Sequence, residues 1–246
     1  MPRTIVWISG ATQGIGAALA RSVPYPDARV INISRRRHPE LETIVADLAE
    51  PTSWDVVSEH FANELATFEG ERAIFIHNAN YAGNAGFAGE TDPFEYRRRV
   101  LANVAAPLVL GDAFVRACRP GYESCLVMIS SATAKFAMQG MSVYGAGKAG
   151  MEQWVRTVRS ERAARGTHPW VVAIRPGFVV TDEMRASYAE EATDPTNFPG
   201  GVAVAKAIAE GRGDTPEGAA RGIWGLLPPD PDGRTVLFLG EFVGEA

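Results

Sequence analysis

The sequence predicts an α/β fold, doubly wound, with a central, mostly parallel seven-stranded sheet flanked by helices on both faces. Three observations carry that prediction. Short β-branched runs alternate with longer helical stretches along all 246 residues. Those runs show no polar alternation, so each needs cover on both faces, which intervening helices supply. The first run ends in a glycine-rich turn that opens an alanine-rich helix, the arrangement of a nucleotide-binding strand-turn-helix.

Taken in order, strands are expected over Thr4–Ser9, Arg29–Ser34, Ala73–Asn78, Cys125–Ser130, Val171–Arg175 and Thr235–Leu239, with a weaker one over Glu42–Ala46. Helices are expected over Ile15–Ser22, Ser53–Phe68, Phe94–Cys118, Ser142–Arg165 and Pro216–Leu227. Pro51 and Pro216 mark helix starts, where a fixed φ and a missing N–H cost nothing. Val100–Ala117 is apolar overall but carries Asn103, Pro107, Asp112 and Arg116, which suits a buried helix better than a membrane span. Between 181 and 213 the pattern gives way to a Gly/Pro-bearing stretch with scattered Met184, Tyr188 and Phe198. A connection that long inside a compact domain is usually functional, so a substrate lid is expected there, with a surface excursion as the alternative.

Composition bounds the rest. At 46% apolar and 22% charged residues, one domain spanning 1–246 with a substantial core is expected. A net charge of −5 opposes nucleic-acid binding. Cys118 and Cys125 read as reduced thiols, and the apolar run Ile5–Ile8 is too short for a signal-peptide core, so a cytoplasmic protein without membrane attachment is expected. His38, His60, His77 and His168 have no metal-ligand spacing, and no metal is expected. Arg97, Arg98 and Arg99 read as a solvated face or an oligomer contact.

Ser9 to Gly16 lies where a pyrophosphate can sit on exposed N–H groups at a positive helix end. Its glycines run G-x-x-x-G-x-G rather than G-x-G-x-x-G, but both structural flanks are present. The second strand ends Ser34-Arg35-Arg36-Arg37, with no acid to accept from an adenosine ribose. Ser34, Arg35 and Arg36 suit a 2′-phosphate instead, so NADP(H) is favoured over NAD(H); a solvated arginine cluster is the alternative. Asp47 reads either as an acceptor for the adenine amino group or as a solvated loop acid.

Tyr144 and Lys148 stand four apart on one helix face, and Ser131 lies at a strand end thirteen residues before Tyr144. A phenol is a poor acid or base near neutrality unless a fixed cation stabilises its phenolate, and Lys148 is the expected cation. Ser131 is the expected donor to a carbonyl oxygen. Ser130 competes for that role; alternation lets one of the two face the cleft, and Ser130 is expected to bond backbone. Asn103, polar in an apolar helix, either anchors a water in a proton relay or makes a structural bond.

With these residues the chain resembles the short-chain dehydrogenase/reductase family, over nearly its whole length, and the resemblance implies a single Rossmann-type domain. Gly10, Gly14 and Gly16, with Thr12, Gln13 and Ile15 between and beside them, match that family's T-G-x-x-x-G-x-G loop, with Ser9 in place of Thr. Asp47, followed by Leu48, matches the adenine-contacting acid. His77-Asn78-Ala79-Asn80 stands where the family has N-N-A-G, retaining Asn78 and Ala79. Asn103, Ser131, Tyr144 and Lys148 match the catalytic tetrad, with Asn103 linking Lys148 to bulk water. Pro176, Gly177, Val179 and Thr181 fall in the P-G-x-x-x-T segment that flanks the nicotinamide. Val236 to Glu241 lacks the common D-G-G ending, which bears on tetramer packing rather than on chemistry. The resemblance implies an NADP(H)-dependent oxidoreductase interconverting a small-molecule carbonyl and an alcohol, as a homodimer or homotetramer. An NAD-linked alcohol dehydrogenase of the same family and a non-catalytic NADP(H)-sensing regulator are the alternatives.

Overall fold

The computed structural model describes residues 3–83, 86–167, 169–189, 199–228 and 233–239. Seven strands form one sheet: β1 (Thr4–Ser9), β2 (Ala28–Ser34), β3 (Glu42–Val45), β4 (Arg72–His77), β5 (Glu123–Ile129), β6 (Trp170–Arg175) and β7 (Val236–Phe238). Their order is β3-β2-β1-β4-β5-β6-β7, and every neighbouring pair is parallel. The chain runs outward in one direction from β1 to β3 and in the other from β4 to β7. The switch between β1 and β4 therefore opens a crevice above their carboxyl ends.

All six residues of β1 are buried, as the unbroken apolar run requires. Alternation splits them between two cores. Ile5 and Trp7 face one layer with Phe61, Phe75 and Phe114; Val6 and Ile8 face the other with Leu19, Ile223 and Trp224. Trp7 meets Phe61 edge-on, with ring centroids 5.3 Å apart, a favoured aromatic geometry. The first layer is built by α2 (Pro51–Ala66), α4 (Ala106–Ala117) and α5 (Ser142–Arg165), and the second by α1 (Gly14–Arg21) and α8 (Pro216–Gly225).

The helix expected over Phe94–Cys118 starts one residue earlier and is not uniform. It runs as α3 (Pro93–Val100), a π turn (Leu101–Ala105) and α4. Asp92 caps its start by accepting from the N–H groups of Phe94 and Glu95. By length and composition this segment passes for a membrane span. Ala102, Ala106, Leu110 and Phe114 nevertheless form its seam with the sheet.

The stretch 181–213, read from the sequence as irregular, contains two helices, α6 (Asp182–Ser187) and α7 (Pro199–Ala209). Thr181 starts α6 by accepting from Met184 N–H at 3.1 Å. The two feet of the stretch are joined: Val180 N–H donates to Asp214 O at 2.9 Å, and Asp214 N–H donates to Phe178 O at 2.8 Å. Residues 190–198, Phe198 among them, lie outside the described residues, as do His168 and the chain beyond Leu239.

Candidate active site

A cleft of about 870 Å³ lies over the carboxyl ends of the strands. Every cofactor and catalytic residue expected from the sequence lines it except Gly16. Gly16 has a different job. A Cβ there would lie 2.0 Å from the Gly10 carbonyl oxygen and 2.6 Å from Asn78 Nδ2, so only glycine lets α1 close onto the turn. Gly10 and Gly14 have φ of +75° and +54°, which bends the turn beneath the helix. Gln13, the N-cap of α1, makes no side-chain cap, leaving the first-turn N–H groups for an outside acceptor.

The two departures from the family pattern, Ser9 and His77, lie against one another. Buried Ser9 Oγ accepts from the N–H groups of Asn78 and Ala79, each at 3.0 Å, and lies 3.1 Å from His77 Nδ1. Asn78 in turn donates to Ser9 O at 3.2 Å, so the wall of Asn78, Ala79 and Asn80 is tied to the glycine turn. Burial, with Lys148 nearby, pushes the His77 pKa down to about 3, so this imidazole is neutral.

At the far end, Arg35 and Arg36 are exposed on the cleft edge. The Arg35 guanidinium stands 5.6 Å from the Tyr81 ring centroid. Ser34 lines the cleft, but its hydroxyl donates to Arg36 O at 2.6 Å and accepts from Asn32 at 2.8 Å, so it orders the strand end. Asp47 is half-buried and engaged through both oxygens. Its Oδ2 accepts from Arg98 at 2.8 Å and its Oδ1 from Ala49 N–H at 3.0 Å. Leu48 is buried beside it. The expected solvated arginine run is thus corrected: Arg98 binds Asp47 and Glu50, Arg99 is buried on the cleft wall, and Arg97 alone is exposed. Consecutive helical residues fan out by about 100° each, so three in a row cannot share one solvent face.

At the other end, Ser131, Tyr144 and Lys148 converge. Ser131 stands close enough to Tyr144 to favour its phenolate, and the Lys148 ammonium lies 5.5 Å from the Tyr144 ring centroid. Ser131 Oγ also accepts from Thr133 Oγ1 at 3.1 Å. Two expectations are corrected here. Burial raises the Tyr144 pKa above its usual value, opposed by Ser131 beside it. The Lys148 ammonium instead donates to Ile129 O at 2.6 Å, and burial lowers its pKa to about 8. Ser130 does not bond backbone through its side chain; its Oγ donates to buried Glu152 at 2.7 Å. Asn103 takes the structural option: Oδ1 accepts from Tyr81 N–H and Nδ2 donates to Tyr81 O, both at 2.8 Å.

Pro176, Gly177, Val179 and Thr181 form part of the cleft wall. Phe136, Met138, Phe178, Met184 and Tyr188 give the adjoining space an apolar, partly aromatic lining. The sequence reading missed Met141, Ser187, Val204 and Phe238, which also line it. Among the described residues no group of three or more His, Cys, Asp or Glu side chains is placed to hold a metal. The bent glycine turn, the uncapped helix start and the two cleft-edge guanidiniums fit a phosphate-rich dinucleotide.

The family model for short chain dehydrogenase matches residues 4–192. A benzil reductase ((S)-benzoin forming) from Bacillus cereus is 28% identical over 249 residues, covering 94% of this chain and 97% of that one. The 3-oxoacyl-(acyl-carrier-protein) reductase FabG from Salmonella typhimurium is 28% identical over 192 residues, covering 74% of this chain and 76% of its own. A short-chain dehydrogenase/reductase structure from Burkholderia vietnamiensis is 28% identical, with a TM-score of 0.64 over 79% of this chain and 93% of that one. The L-sorbose reductase of Gluconobacter frateurii, solved with NADPH and L-sorbose, shares the fold at 18% identity, with a TM-score of 0.74 over 99% of this chain and 98% of its own. With a family match over most of its length and a cleft that gathers that family's motifs, the chain belongs to the short-chain dehydrogenase/reductase family of nicotinamide-dependent oxidoreductases.

Proposed function

We propose that the protein is an NADP(H)-dependent carbonyl reductase that acts on uncharged ketones or aldehydes with aromatic or bulky apolar substituents. One observation carries the reading: Ser131, Tyr144 and Lys148 line the same cleft as the glycine turn and the Pro176–Gly177 wall. When bound, the dinucleotide supplies a hydride. The chain supplies the rest. Ser131 donates to the carbonyl oxygen and fixes its place. Tyr144, whose raised pKa keeps it protonated at neutrality, gives its proton to that oxygen as negative charge builds there. Lys148 is the cation next to Tyr144 and the residue that would hold the nicotinamide ribose. Asn103 acts by pinning Tyr81, whose ring flanks Arg35.

The preference for NADP(H) rests on Arg35 and Arg36 and on the missing acid at the end of β2. The apolar lining from Phe136 to Tyr188 and the benzil reductase likeness favour an aromatic substrate. Assembly as a homodimer or homotetramer belongs to the same proposal and rests on the family resemblance alone. The test is NADPH oxidation against a panel of benzil, quinones, pteridine-type carbonyls and acyl-thioester ketones, using the wild-type protein and Tyr144→Phe. The expected result is turnover by the wild-type protein, and NADPH binding without turnover by the variant, a loss of about 10²-fold or more. Equal rates for the two proteins would contradict the role of Tyr144. No turnover on any carbonyl, with NADPH still bound, would favour a nucleotide-sensing protein.

A further inference from the structure

Glu152 is a buried carboxylate that neither lines the cleft nor reaches solvent, with 3% side-chain exposure. Arg175, 5% exposed, grips it with a two-pronged fork: Nε donates to Oε1 and Nη2 to Oε2, both at 2.6 Å. Ser130 Oγ adds a bond to Oε1 at 2.7 Å, and Arg156 adds one to Oε2 at 3.1 Å. Burial favours the neutral acid, but Arg175 and Ser130 outweigh it and hold the pKa below the usual range. Stability alone is a poor reason for such an arrangement. Apolar residues of similar volume often replace a buried ion pair at no loss, and sometimes with a gain.

Placement in the chain is the better reason. Three members of the cluster, Ser130, Arg175 and Glu152, stand next to or within two helical turns of residues of the reacting centre. Ser130 precedes Ser131 and turns its hydroxyl to Glu152, while Ser131 meets Tyr144. Arg175 ends β6 immediately before the Pro176–Gly177 wall. Glu152 lies on α5 one turn beyond Lys148 and two turns beyond Tyr144. A single carboxylate thereby fastens together the ends of two strands and one helix, which separately carry the carbonyl donor, the cofactor wall and the proton donor.

We infer that Glu152 is a positioning residue: through Ser130 and Arg175 it sets the Ser131 hydroxyl and the Pro176–Gly177 wall at their working distances from Tyr144. The inference rests on the reading of Ser131 and Tyr144 as the pair that holds and protonates the carbonyl oxygen. Displacing a reacting group by about 1 Å costs about 10²-fold in rate. Interactions that matter only in the transition state register in kcat rather than KM.

The experiment compares wild type, Glu152→Gln, Glu152→Leu and the double variant Glu152→Leu/Arg175→Leu. Four quantities are read: kcat and KM with the best carbonyl of the panel, NADPH affinity by fluorescence, thermal midpoint, and the isotope effect from 4-deuterated NADPH. Glu152→Gln is expected to lose about 10²-fold in kcat, with KM and NADPH affinity close to wild type and a larger isotope effect. Glu152→Leu strands the Arg175 cation and is expected to lower the midpoint sharply. The double variant is expected to recover the midpoint but not kcat, which separates positioning from folding. Recovery of kcat together with the midpoint would overturn the inference, as would near-wild-type kcat in Glu152→Gln. A wild-type protein inert toward every carbonyl fails the reductase reading itself, and this inference falls with it; an active wild type beside unaffected variants fails this inference alone.

Discussion

Lys148 shows how far depth of burial decides the chemistry of one residue. Its side chain is buried, with the Ile129 carbonyl as the partner of its ammonium, and its pKa falls from 10.5 to about 8. Between those two values the unfolded chain binds a proton that the folded chain has released. Stability therefore rises as pH climbs from about 8 toward 10.5. Binding of NADPH should move the opposite way. If the ammonium holds the nicotinamide ribose, kcat/KM for NADPH should fall above about pH 8, because that constant reports ionisations of the free protein. Tyr144 loses its proton at higher pH, its pKa being raised above 10.0, and does not account for that limb. A pH series of initial rates checks this; a constant that stays level or rises through that region contradicts it. Helix periodicity was enough to pair Tyr144 with Lys148 from the sequence, and a strand end was enough to add Ser131. The direction of the Tyr144 shift and the partner of Lys148 were not readable, because both depend on which atoms surround the site in three dimensions. Asn103 was half-readable: an amide in an apolar helix must be satisfied, but Tyr81 lies twenty-two residues away.

At the level of elements, α5 packs closely against the π turn that carries Asn103. Gly147 makes that contact possible, since a Cβ there would lie 2.6 Å from the Asn103 carbonyl oxygen. This neighbour is backbone and cannot rotate aside. Gly147→Ala should therefore cost about 1–3 kcal/mol of stability and reduce turnover more than NADPH affinity, since α5 carries Tyr144 and Lys148. Urea unfolding and steady-state kinetics test it; a wild-type midpoint with wild-type kcat would contradict it. The sequence revealed this segment as one long helix because its apolar spacing continues through residues 101–105. A π turn leaves little mark on that spacing, although such turns often occur at functional sites. The helices α6 and α7 went unread for other reasons. α6 has six residues and no buried face, and α7 opens with Pro199-Gly200-Gly201. The readable cue was Thr181 followed by Asp182 and Glu183, an N-cap with acids in the first turn.

Over the whole molecule, the sheet order places the Arg35–Arg36 pair and the Ser131, Tyr144 and Lys148 group at two ends of one crevice. The arginines at the end of β2 and the tyrosine of α5 lie on either side of the switch between β1 and β4. This layout was legible because strands buried on both faces read as continuous apolar runs, and short turns between them leave few ways to order the sheet. Cofactor choice should then be visible as stabilisation of the whole fold. At a concentration about 100 times its Kd, a ligand adds about 2.7 kcal/mol to stability. NADPH should raise the thermal midpoint more than NADH at equal concentration, and Arg35→Ala should shrink the difference. Differential scanning fluorimetry reads both, and an equal or larger shift with NADH would reject the arginine assignment.

The clasp between Phe178, Val180 and Asp214 has an evolutionary consequence. Because main-chain bonds independent of side-chain identity hold both feet of the excursion carrying Met184, Tyr188 and Val204, whatever lies between can mutate, lengthen or be exchanged without disturbing the strands beneath. Extra length in such a closed loop adds little entropic cost. Changes in that excursion would thus reshape one side of the cleft, while the glycine turn on the other side stays as it is.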